Sequence, residues 1–501
     1  MSCANAYPVS FFNTEGNWGA GAGQIGPGTT VHLCGTLTFN PGATGLTVYG
    51  SGTSGQPITI LFEPGAVLQA PYFGGYSGAG GIYVNGYSYI TIDGGSGGII
   101  QNTANGTSLA NQQSSDGIDL KNTSNVTVQN LVVRNIYVNA GSQPSRTDTA
   151  GQTTMDIELE GAVTNLVIAN NTLTGSRMGI NTNLSGNLNG LTVYDNSFSD
   201  HAWMASITSS SSGTMANVSI YGNSFTNWDN WQFPTATYHT DGIFLYMLGG
   251  NENAFTPQVY NNYFYGNLGD GNSTAYVYLA TDLSGKPVNF SGMVYNNLFL
   301  SDAHTTYTGG PTPGFTPIVT NTTTGPHYIY NNTFVAPLQA GQAIFEQISG
   351  GVKLTLENNI FSGFCNALLD DGVATEDVVL SNNNVFYNQC SGGNQVITDS
   401  TGQMSLAAWQ GHGFDLNSSS GNPNLSSGQL QPGSVAINIG ANLTSLGVAA
   451  LDIGAPAAYG VGGGCRTGGC TPRPISGPWT AGVYPYALTA VAPGGLAMTV
   501  R

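Results

Sequence analysis

Basic residues are scarce in this sequence of 501 residues. Lys and Arg together number 9, against 26 Asp and Glu, and the formal net charge is −17. A protein that binds a phosphate backbone needs a basic surface, so the composition argues against nucleic acid as a partner. An anionic membrane surface is disfavoured for the same reason. No apolar run reaches the roughly 18 residues of a membrane span, and we expect no membrane insertion.

Fibrous and disordered classes are excluded by other absences. The 72 glycines follow no three-residue period, which excludes a collagen-like chain. Charged residues make up only 7% of the chain, whereas 40% are hydrophobic. A disordered chain of this polarity would lack the many β-branched and aromatic residues found here. Such residues, separated by abundant Gly and Asn, predict strands joined by tight turns.

The six cysteines contain no Cys-x-x-Cys motif and have few histidines near them, so disulfides are favoured over zinc. Their clustering predicts Cys3–Cys34, Cys365–Cys390 and Cys465–Cys470, although other pairings stay open. Disulfides indicate an oxidising compartment. Met1-Ser2-Cys3 is interpreted as a start left after removal of a leader. We therefore expect a secreted, extracellular protein.

Nine segments share one pattern: an extended apolar run, a polar turn with Asn, and an apolar residue two places further on. The turn residues are Asn130, Asn171, Asn196, Asn223, Asn262, Asn297, Asn332, Asn359 and Asn384. Their apolar partners include Leu173, Phe198, Phe225, Phe264, Phe299, Phe334, Phe361 and Phe386. Asn tolerates the left-handed turn conformation, and its amide can bond from one repeat to the next.

The spacing of these turns predicts the architecture. Successive turn residues lie 25 to 41 residues apart. The shortest spacing suits one coil of a β-helix, and longer spacings are coils with inserted loops. A β-propeller blade needs four strands, which the short repeats cannot supply. We predict an all-β, single-stranded, right-handed parallel β-helix of about ten rungs, with terminal caps, loop insertions and a Phe stack inside.

At this point the chain resembles the pectin-lyase-like superfamily, in particular its secreted bacterial β-helix repeat proteins of the carbohydrate-active type. The resemblance covers roughly residues 30–450 and concerns the fold. Tail fragments such as Asp452-Ile453-Gly454 are similar to the closing segment of many such proteins. We expect the β-helix and its N-terminal cap within 1–450, and a C-terminal capping segment in 451–501. Caps are expected because the end rungs of a solenoid otherwise expose strand edges without hydrogen-bond partners.

An acidic strand stands out because charges are otherwise few. Alternation along the strand that precedes each Asn turn predicts one outward row, which includes Asp119, Lys121, Asp156, Glu158 and Glu160. Asp119 is expected beside Glu158, and Lys121 beside Glu160. Repulsion between neighbouring carboxylates raises at least one pKa, and two carboxyls with separated pKa values are what glycoside hydrolysis needs. The i, i+2 spacing slightly favours an inverting pair.

We therefore predict a secreted carbohydrate-active enzyme, most simply a glycoside hydrolase acting on a neutral or weakly charged polysaccharide. The candidate catalytic residues are Asp119, Asp156, Glu158, Glu160, His201, His239 and Asp241. The candidate substrate-binding residues, chosen as cations, amides and aromatic platforms, are Lys121, Arg177, Asn181, Trp203, Trp231, Phe244, Tyr246 and Tyr278. Arg177, His201, His239 and Asp241 are expected to converge beside the acidic strand. Asp370 and Asp371 form a minor candidate pair.

Other interpretations stay open at this stage. The acidic row could be a solvated face, with Lys121 neutralising Glu160, or a calcium site, because clustered carboxylates suit that ion. A polysaccharide lyase acting with calcium on a uronate-containing glycan is the first alternative function. The second is a non-catalytic adhesin or surface-structural β-helix, since fold does not fix function. We expect no required cofactor and a monomer.

Overall fold

The fold is taken from a computed structural model of the chain. The residues that it describes are 3, 7–75, 78–104, 113–136, 154–210, 213–228, 240–248, 256–266, 268, 273–281, 290–300, 316–321, 326–347, 353–387, 395–456, 458–465 and 470–485. His239, Trp231 and Cys390 lie outside this described part. No helix among the described residues is long and apolar enough to cross a membrane.

Short β-strands make up nearly all of the regular structure. The first strands are β1 (Thr30–Leu33), β2 (Thr36–Thr38), β3 (Leu46–Val48), β4 (Ile58–Phe62), β5 (Val67–Ala70), β6 (Ile82–Asn85), β7 (Ser88–Asn102), β8 (Ser115–Lys121), β9 (Ser124–Arg134), β10 (Thr154–Ala169), β11 (Thr172–Thr174), β12 (Met178–Tyr194), β13 (Ser197–Ser199), β14 (Trp203–Thr208), β15 (Met215–Tyr221), β16 (Ser224–Thr226) and β17 (Thr240–Met247).

The remaining strands continue the same short pattern. They are β18 (Gln258–Tyr260), β19 (Tyr263–Tyr265), β20 (Ser273–Thr281), β21 (Met293–Tyr295), β22 (Leu298–Leu300), β23 (Ile318–Asn321), β24 (Pro326–Tyr330), β25 (Thr333–Glu346), β26 (Lys353–Glu357), β27 (Ile360–Asp370), β28 (Val378–Asn382), β29 (Val385–Tyr387), β30 (Gln395–Asp399), β31 (Gly402–Ser405), β32 (Leu425–Ser426), β33 (Gln429–Leu430), β34 (Ile453–Pro456) and β35 (Cys470–Pro472). Among the described residues, the helices are α1 (Val9–Phe12), α2 (Ala374–Asp377), α3 (Leu406–Gly411) and two 3-10 turns, Glu15–Asn17 and Thr444–Leu446.

Each coil passes through three parallel faces in the same order, so the predicted parallel β-helix is confirmed. β1, β2 and β3 pair in parallel with β4, β5 and β6, one on each face. Coils begin at β1, β4, β7, β9, the second half of β10, the second half of β12, β15, β18, β21, β24, β26 and β28. The described strands thus form twelve rungs rather than about ten, because the first three rungs carry no Asn turn and are not detected by the repeat.

The interior holds the aromatic stack that the repeat predicted. The rings of the repeat, from Phe198 to Phe386, stack nearly parallel on successive rungs, with centroids 4.8 to 5.4 Å apart. Alternation buries the aliphatic positions of the strands: Ile58, Ile60 and Phe62 of β4 are inside, whereas the residues between them are partly exposed. Burying each such side chain contributes about 1.5–3 kcal/mol.

The second Asn of each turn forms an amide ladder along the interior corner. The Nδ2 group of each ladder residue donates to Oδ1 of the next, from Asn171 to Asn384, over 3.0–3.2 Å. The first Asn of the turn has a positive φ, for example 53° at Asn261 and Asn296. The two positions therefore have different roles. The first residue forms the turn, and the second forms hydrogen bonds with buried amide groups.

The two ends of the β-helix are covered by different elements. At the N-terminal end α1 packs Phe12 against the core, and the predicted Cys3–Cys34 disulfide holds that segment. At the other end β31 pairs antiparallel with β30, and α3 buries Trp409. The predicted Cys465–Cys470 bond is also confirmed, and Cys365 is disulfide-bonded.

The C-terminal tail runs back along the outside of the turn corner. Asn358 donates to the carbonyl of Ala441, Asn296 to that of Ile453, and Asn261 to the sulfur of Cys465. The tail thus crosses the rungs in descending order. The predicted boundary at residue 450 stays a prediction. The described residues of the tail, 451–456, 458–465 and 470–485, lie along the side of the β-helix instead of over its end, which β31 and α3 cover.

Candidate active site

Three carboxyl groups meet on the third face, at β8 and β10. Asp119 is the register partner of Glu158, and Lys121 is the partner of Glu160, so the predicted stacking of these residues is confirmed. A carboxylate oxygen each of Asp116, Asp119 and Glu158 lies within 4.8 Å of the other two. We call these three residues the acidic cluster. Such proximity brings like charges together and makes protonation or a bound cation favourable.

The acidic cluster is buried. Asp119 and Glu158 have no exposed area. Burial, with added repulsion from Glu160 and Glu158, raises the pKa of Asp119 to about 7. The N–H of Gly78 donates to Oδ2 of Asp119 at 3.0 Å. This hydrogen bond favours the charged form and lowers the pKa, but by less than burial raises it. Burial also raises the pKa of Glu158, a shift that hydrogen bonds with Asp116 and Asn183 oppose.

A lysine and a tyrosine flank the acidic cluster. Nζ of Lys121 contacts Oε2 of Glu160 at 2.5 Å, and the hydrogen bond to Glu160 raises the lysine pKa. Tyr83 is the register partner of Asp119 on the preceding rung. Burial first, then the charge of Asp119, raises the pKa of the Tyr83 phenol. Tyr83 therefore stays a neutral group that covers one side of the cluster.

A bend at Gly117 explains why Asp116 joins this group. A Cβ at Gly117 would lie 2.6 Å from Cγ1 of the core residue Val133, so this position faces inward, as does Ile118. With two successive inward positions, Asp116 and Asp119 share the outer face. Simple alternation places Asp116 on the opposite face, and the sequence analysis therefore missed it. Gly117, directly before Ile118-Asp119-Leu120, is the feature of the sequence that could have indicated this bend, because a glycine inside a strand often marks an irregularity.

The same bend corrects the prediction for Asp156. This residue was expected on the outer face with Glu158, but it lies level with Gly117 and points inward. Its Oδ2 is 2.8 Å from Nε2 of His201, and neither side chain has exposed area. His201 also packs edge-on against the stacked ring of Phe198. Burial raises the pKa of Asp156, which the His201 charge opposes. This pair is an interior feature.

The expected convergence around the acidic strand is confirmed only in part. His201 contacts Asp156 of that strand and the N–H of Arg177 donates to Thr154, whereas Asp241 lies elsewhere and His239 is outside the described residues. Asp241 lies on β17, three strand pairings beyond the strand of Glu158, which is about 14 Å along the axis. Asp241 is buried and accepts the N–H of Ala275 at 3.1 Å. Arg177 is buried, and its carbonyl accepts the N–H of Trp203. The candidates therefore fall into separate groups: the acidic cluster, the Asp156–His201 pair, and Asp241.

The predicted aromatic platforms stack on one another. Phe244 lies against Trp203, Tyr246 and Tyr278, with centroids 5.7, 5.3 and 5.1 Å away and rings within 18° of parallel. Both faces of Phe244 are thus covered by neighbouring rings. Asn181 lies between the two groups, as the register partner of Glu158 and of Ser206. The third face is therefore polar at its N-terminal rungs and aromatic further on.

The comparisons with known proteins give no family assignment. No family model matches the sequence, and no curated protein matches it. Among solved structures, a pectate lyase from Paenibacillus sp. 0602 is similar, with 11% sequence identity and a TM-score of 0.30. That similarity covers 66% of this chain and 79% of the lyase.

Proposed function

We propose that the protein is a carbohydrate-active enzyme, a glycoside hydrolase that cuts a neutral or weakly charged polysaccharide at the acidic cluster. The proposal rests on the pairing of Asp119 and Glu158, whose carboxyl oxygens lie within 4.8 Å of each other. The pKa of Asp119 in this pair is raised to about 7. An acid of that pKa still holds its proton near neutral pH, when an ordinary carboxyl has lost it.

Asp119 would act as the general acid and Glu158 as its partner. Protonated Asp119 donates its proton to the oxygen of the leaving sugar. The bond between that oxygen and the anomeric carbon breaks while Glu158, the second carboxyl, bonds to the anomeric carbon or stabilises the positive charge that develops there. Water, deprotonated by Asp119, then attacks the anomeric carbon, which frees Glu158 and restores the proton of Asp119. The oxygen separation is shorter than the roughly 6.5–9.5 Å of inverting enzymes, so we favour retention of configuration over the inversion that the i, i+2 spacing indicated.

The neighbouring residues would tune and orient this pair. The charge of Glu160 raises the pKa of Asp119. Lys121, which forms an ion pair with Glu160, lowers that pKa by a smaller amount. Asn181 continues the polar row on the next rung and offers an amide to sugar hydroxyls. Few cations lie along this chain, whose net charge is −17, which favours a neutral glycan over a polyanion.

Access to the acidic cluster requires a local movement. The backbone of residues 78–81 packs directly on it, since the N–H of Gly81 donates to the carbonyl of Asp116 and that of Gly78 to Asp119. A Cβ added to Gly80 would lie 3.3 Å from the Asp116 carbonyl oxygen. We infer that this glycine-rich segment shifts when a sugar enters, and that its closed position excludes water from the carboxyls.

A second candidate function, a calcium-dependent polysaccharide lyase, is favoured by one specific observation. Asp116, Asp119 and Glu158 supply oxygen ligands within 4.8 Å of one another, and oxygen ligands suit calcium. A calcium ion held there would neutralise the carboxylate of a uronate, and Lys121 would be the nearest cation to assist. Calcium binding would then replace protonation of Asp119.

One screen separates these functions. The protein is incubated with neutral glycans and with polyuronates, with and without a chelator, and both reducing ends and absorbance at 235 nm are followed. Hydrolysis releases reducing ends without the absorbance rise and survives the chelator. A lyase produces the absorbance rise, which the chelator abolishes. Binding without any cleavage supports the adhesin interpretation and contradicts both enzymes.

Matched variants tie the activity to the acidic cluster. Asp119→Asn and Glu158→Gln should each lower kcat about 10²–10⁴-fold, the contribution expected of a general acid or its partner. Asp371→Asn, which removes an exposed carboxyl far along the chain, serves as the control and should leave kcat unchanged. Full activity in both cluster variants would refute the site assignment.

A further inference from the structure

A second group of buried carboxyls lies near the C-terminal end of the β-helix, away from the proposed active site. It consists of Glu346, Asp370 and Asp377, on β25, β27 and α2, and one oxygen of each lies within 4.8 Å of the others. Glu346 has no exposed area, and Asp370 and Asp377 are 2% and 3% exposed. Unlike surface carboxylates, these groups have given up their hydration.

The position of these residues in the fold makes their chemistry unusual. They continue an interior column of side chains, in which register partners on successive rungs are Ile207, Leu245, Leu279, Thr320, Glu346 and Asp370. The first three residues of this column are aliphatic and fully buried. Because register partners on parallel strands point to the same side, the last three place oxygen atoms where the earlier rungs place core side chains.

A hydroxyl oxygen in this column lacks a partner. Oδ1 of Asp370 accepts the N–H of Gly372 at 2.6 Å, and the Asp370 carboxyl also forms a hydrogen bond with that of Glu346. Oγ1 of Thr320, by contrast, has no hydrogen-bond partner in the part of the chain that the structure describes, has no exposed area and lies beside Glu346. A buried polar atom without a partner destabilises the fold, and a buried charge does so more strongly.

Positive charge reaches only one side of the group. Nζ of Lys353 lies 3.3 Å from Oδ1 of Asp377, and the lysine side chain is 45% exposed. It therefore sits at the solvent edge. Glu346 and Asp370 face the interior column instead. A hard cation with several oxygen ligands would neutralise the carboxyl charges and bind the unpartnered Thr320 hydroxyl at once.

We propose that Glu346, Asp370 and Asp377 form a structural site for a divalent cation of the calcium class, with the Thr320 hydroxyl as a further ligand. The cation would link two rungs of the third face to α2, just before the elements that cover the end of the β-helix. It would stabilise this end of the solenoid and take no part in glycan cleavage.

Thermal unfolding of the full chain tests the proposal. After treatment with a chelator and its removal, calcium should raise the Tm of the wild type by several degrees. The same rise should occur in Glu158→Gln, whose acidic cluster is altered, and should be absent in Asp370→Asn. Asp371→Asn, an exposed neighbour with the same chemistry, is the matched control and should respond like the wild type.

Direct calcium binding by titration calorimetry covers the case in which Asp370→Asn folds poorly. Thr320→Val keeps the side-chain shape and removes one ligand, so it should weaken calcium affinity about tenfold or more while preserving the fold. A calcium response that persists in Asp370→Asn but disappears in Glu158→Gln would overturn the proposal. So would a higher Tm of Asp370→Asn with no calcium response in the wild type, since the carboxyls would then share a proton.

Discussion

Single residues at the acidic cluster illustrate how far environment can move a carboxyl group. Asp119 carries the same side chain as the exposed Asp371, but burial and two neighbouring carboxylates place its pKa at about 7. The sequence alone predicted that Asp119 would lie beside Glu158 and that repulsion would raise a pKa. It could not predict the burial that causes most of this shift, because burial depends on the segment 78–81 from an earlier rung.

The stability of the protein should depend on pH through Asp119. Between the ordinary Asp value near 4 and about 7, the native state retains a proton that the unfolded state has lost. The free energy of unfolding should therefore fall as pH rises through this range, and the contribution is fully present only at lower pH. Asp119→Asn should flatten the curve, measured by urea unfolding at a series of pH values. An unchanged slope would show that Asp119 titrates normally.

Lys121 and Glu160 should shift the titration of Asp119 in opposite directions. Glu160→Gln removes a negative charge that raises this pKa, so the pH at which activity is lost on the alkaline side should fall. Lys121→Met removes a positive charge that lowers it, so that pH should rise. The readout is the midpoint of the kcat–pH profile of each variant. Midpoints that move together, or not at all, would mean that the ion pair only supports the fold.

At the scale of strands and turns, the two Asn positions of each repeat separate two tasks. The first residue adopts a positive φ and, at Asn296 and Asn358, holds the tail from outside. The second builds the interior ladder. The repeat in the sequence was sufficient to predict this ladder and the Phe stack, because both recur with every coil. The bend at Gly117 occurs without such repetition, and alternation therefore misplaced Asp156 and missed Asp116.

A ladder residue should be far more sensitive than a surface Asn. Nδ2 of Asn262 donates to the Ile220 carbonyl and to Asn297, and its Oδ1 accepts from Asn223. Asn262→Ala leaves these buried groups without partners and should lower the free energy of unfolding by about 2–4 kcal/mol.

The control for this prediction is an Asn pair at the surface. Oδ1 of the exposed Asn189 accepts from Asn217 at 2.8 Å. Asn189→Ala should therefore change the free energy of unfolding by no more than about 0.5 kcal/mol. Both values come from urea unfolding under one set of conditions. Equal losses at the two positions would mean that burial adds nothing to the ladder bonds.

For the whole molecule, the tail is the feature that the sequence predicted least well. Its residues resemble a closing segment, but where they pack depends on contacts more than a hundred positions away. Arg473 is the centre of this packing: it is 3% exposed and donates to Asn296 and to the carbonyls of Thr480 and Gly482. Burial lowers the pKa of its guanidinium to about 9.

Removing this arginine should release the tail without unwinding the coils. Arg473→Met leaves the Asn296 side chain and two buried carbonyls with fewer partners, so amide hydrogens between residues 440 and 485 should exchange at least tenfold faster. Strands β12 to β27 should keep their protection. The measurement is hydrogen exchange followed by mass spectrometry. Uniform loss of protection over the chain would show that the tail and the β-helix unfold as one unit.

The path of the tail has a consequence for how this protein can change in length. Each rung from that of Asn171 to that of Asn359 offers the same amide donor to the next rung, so a duplicated rung leaves no ladder residue without a neighbour. The tail, however, contacts particular rungs, from Asn358 near residue 441 to Ser197 near residue 461. The length of the tail therefore fixes the number of rungs between these contacts. We expect insertion of a whole coil to be tolerated only on the N-terminal side of Ser197.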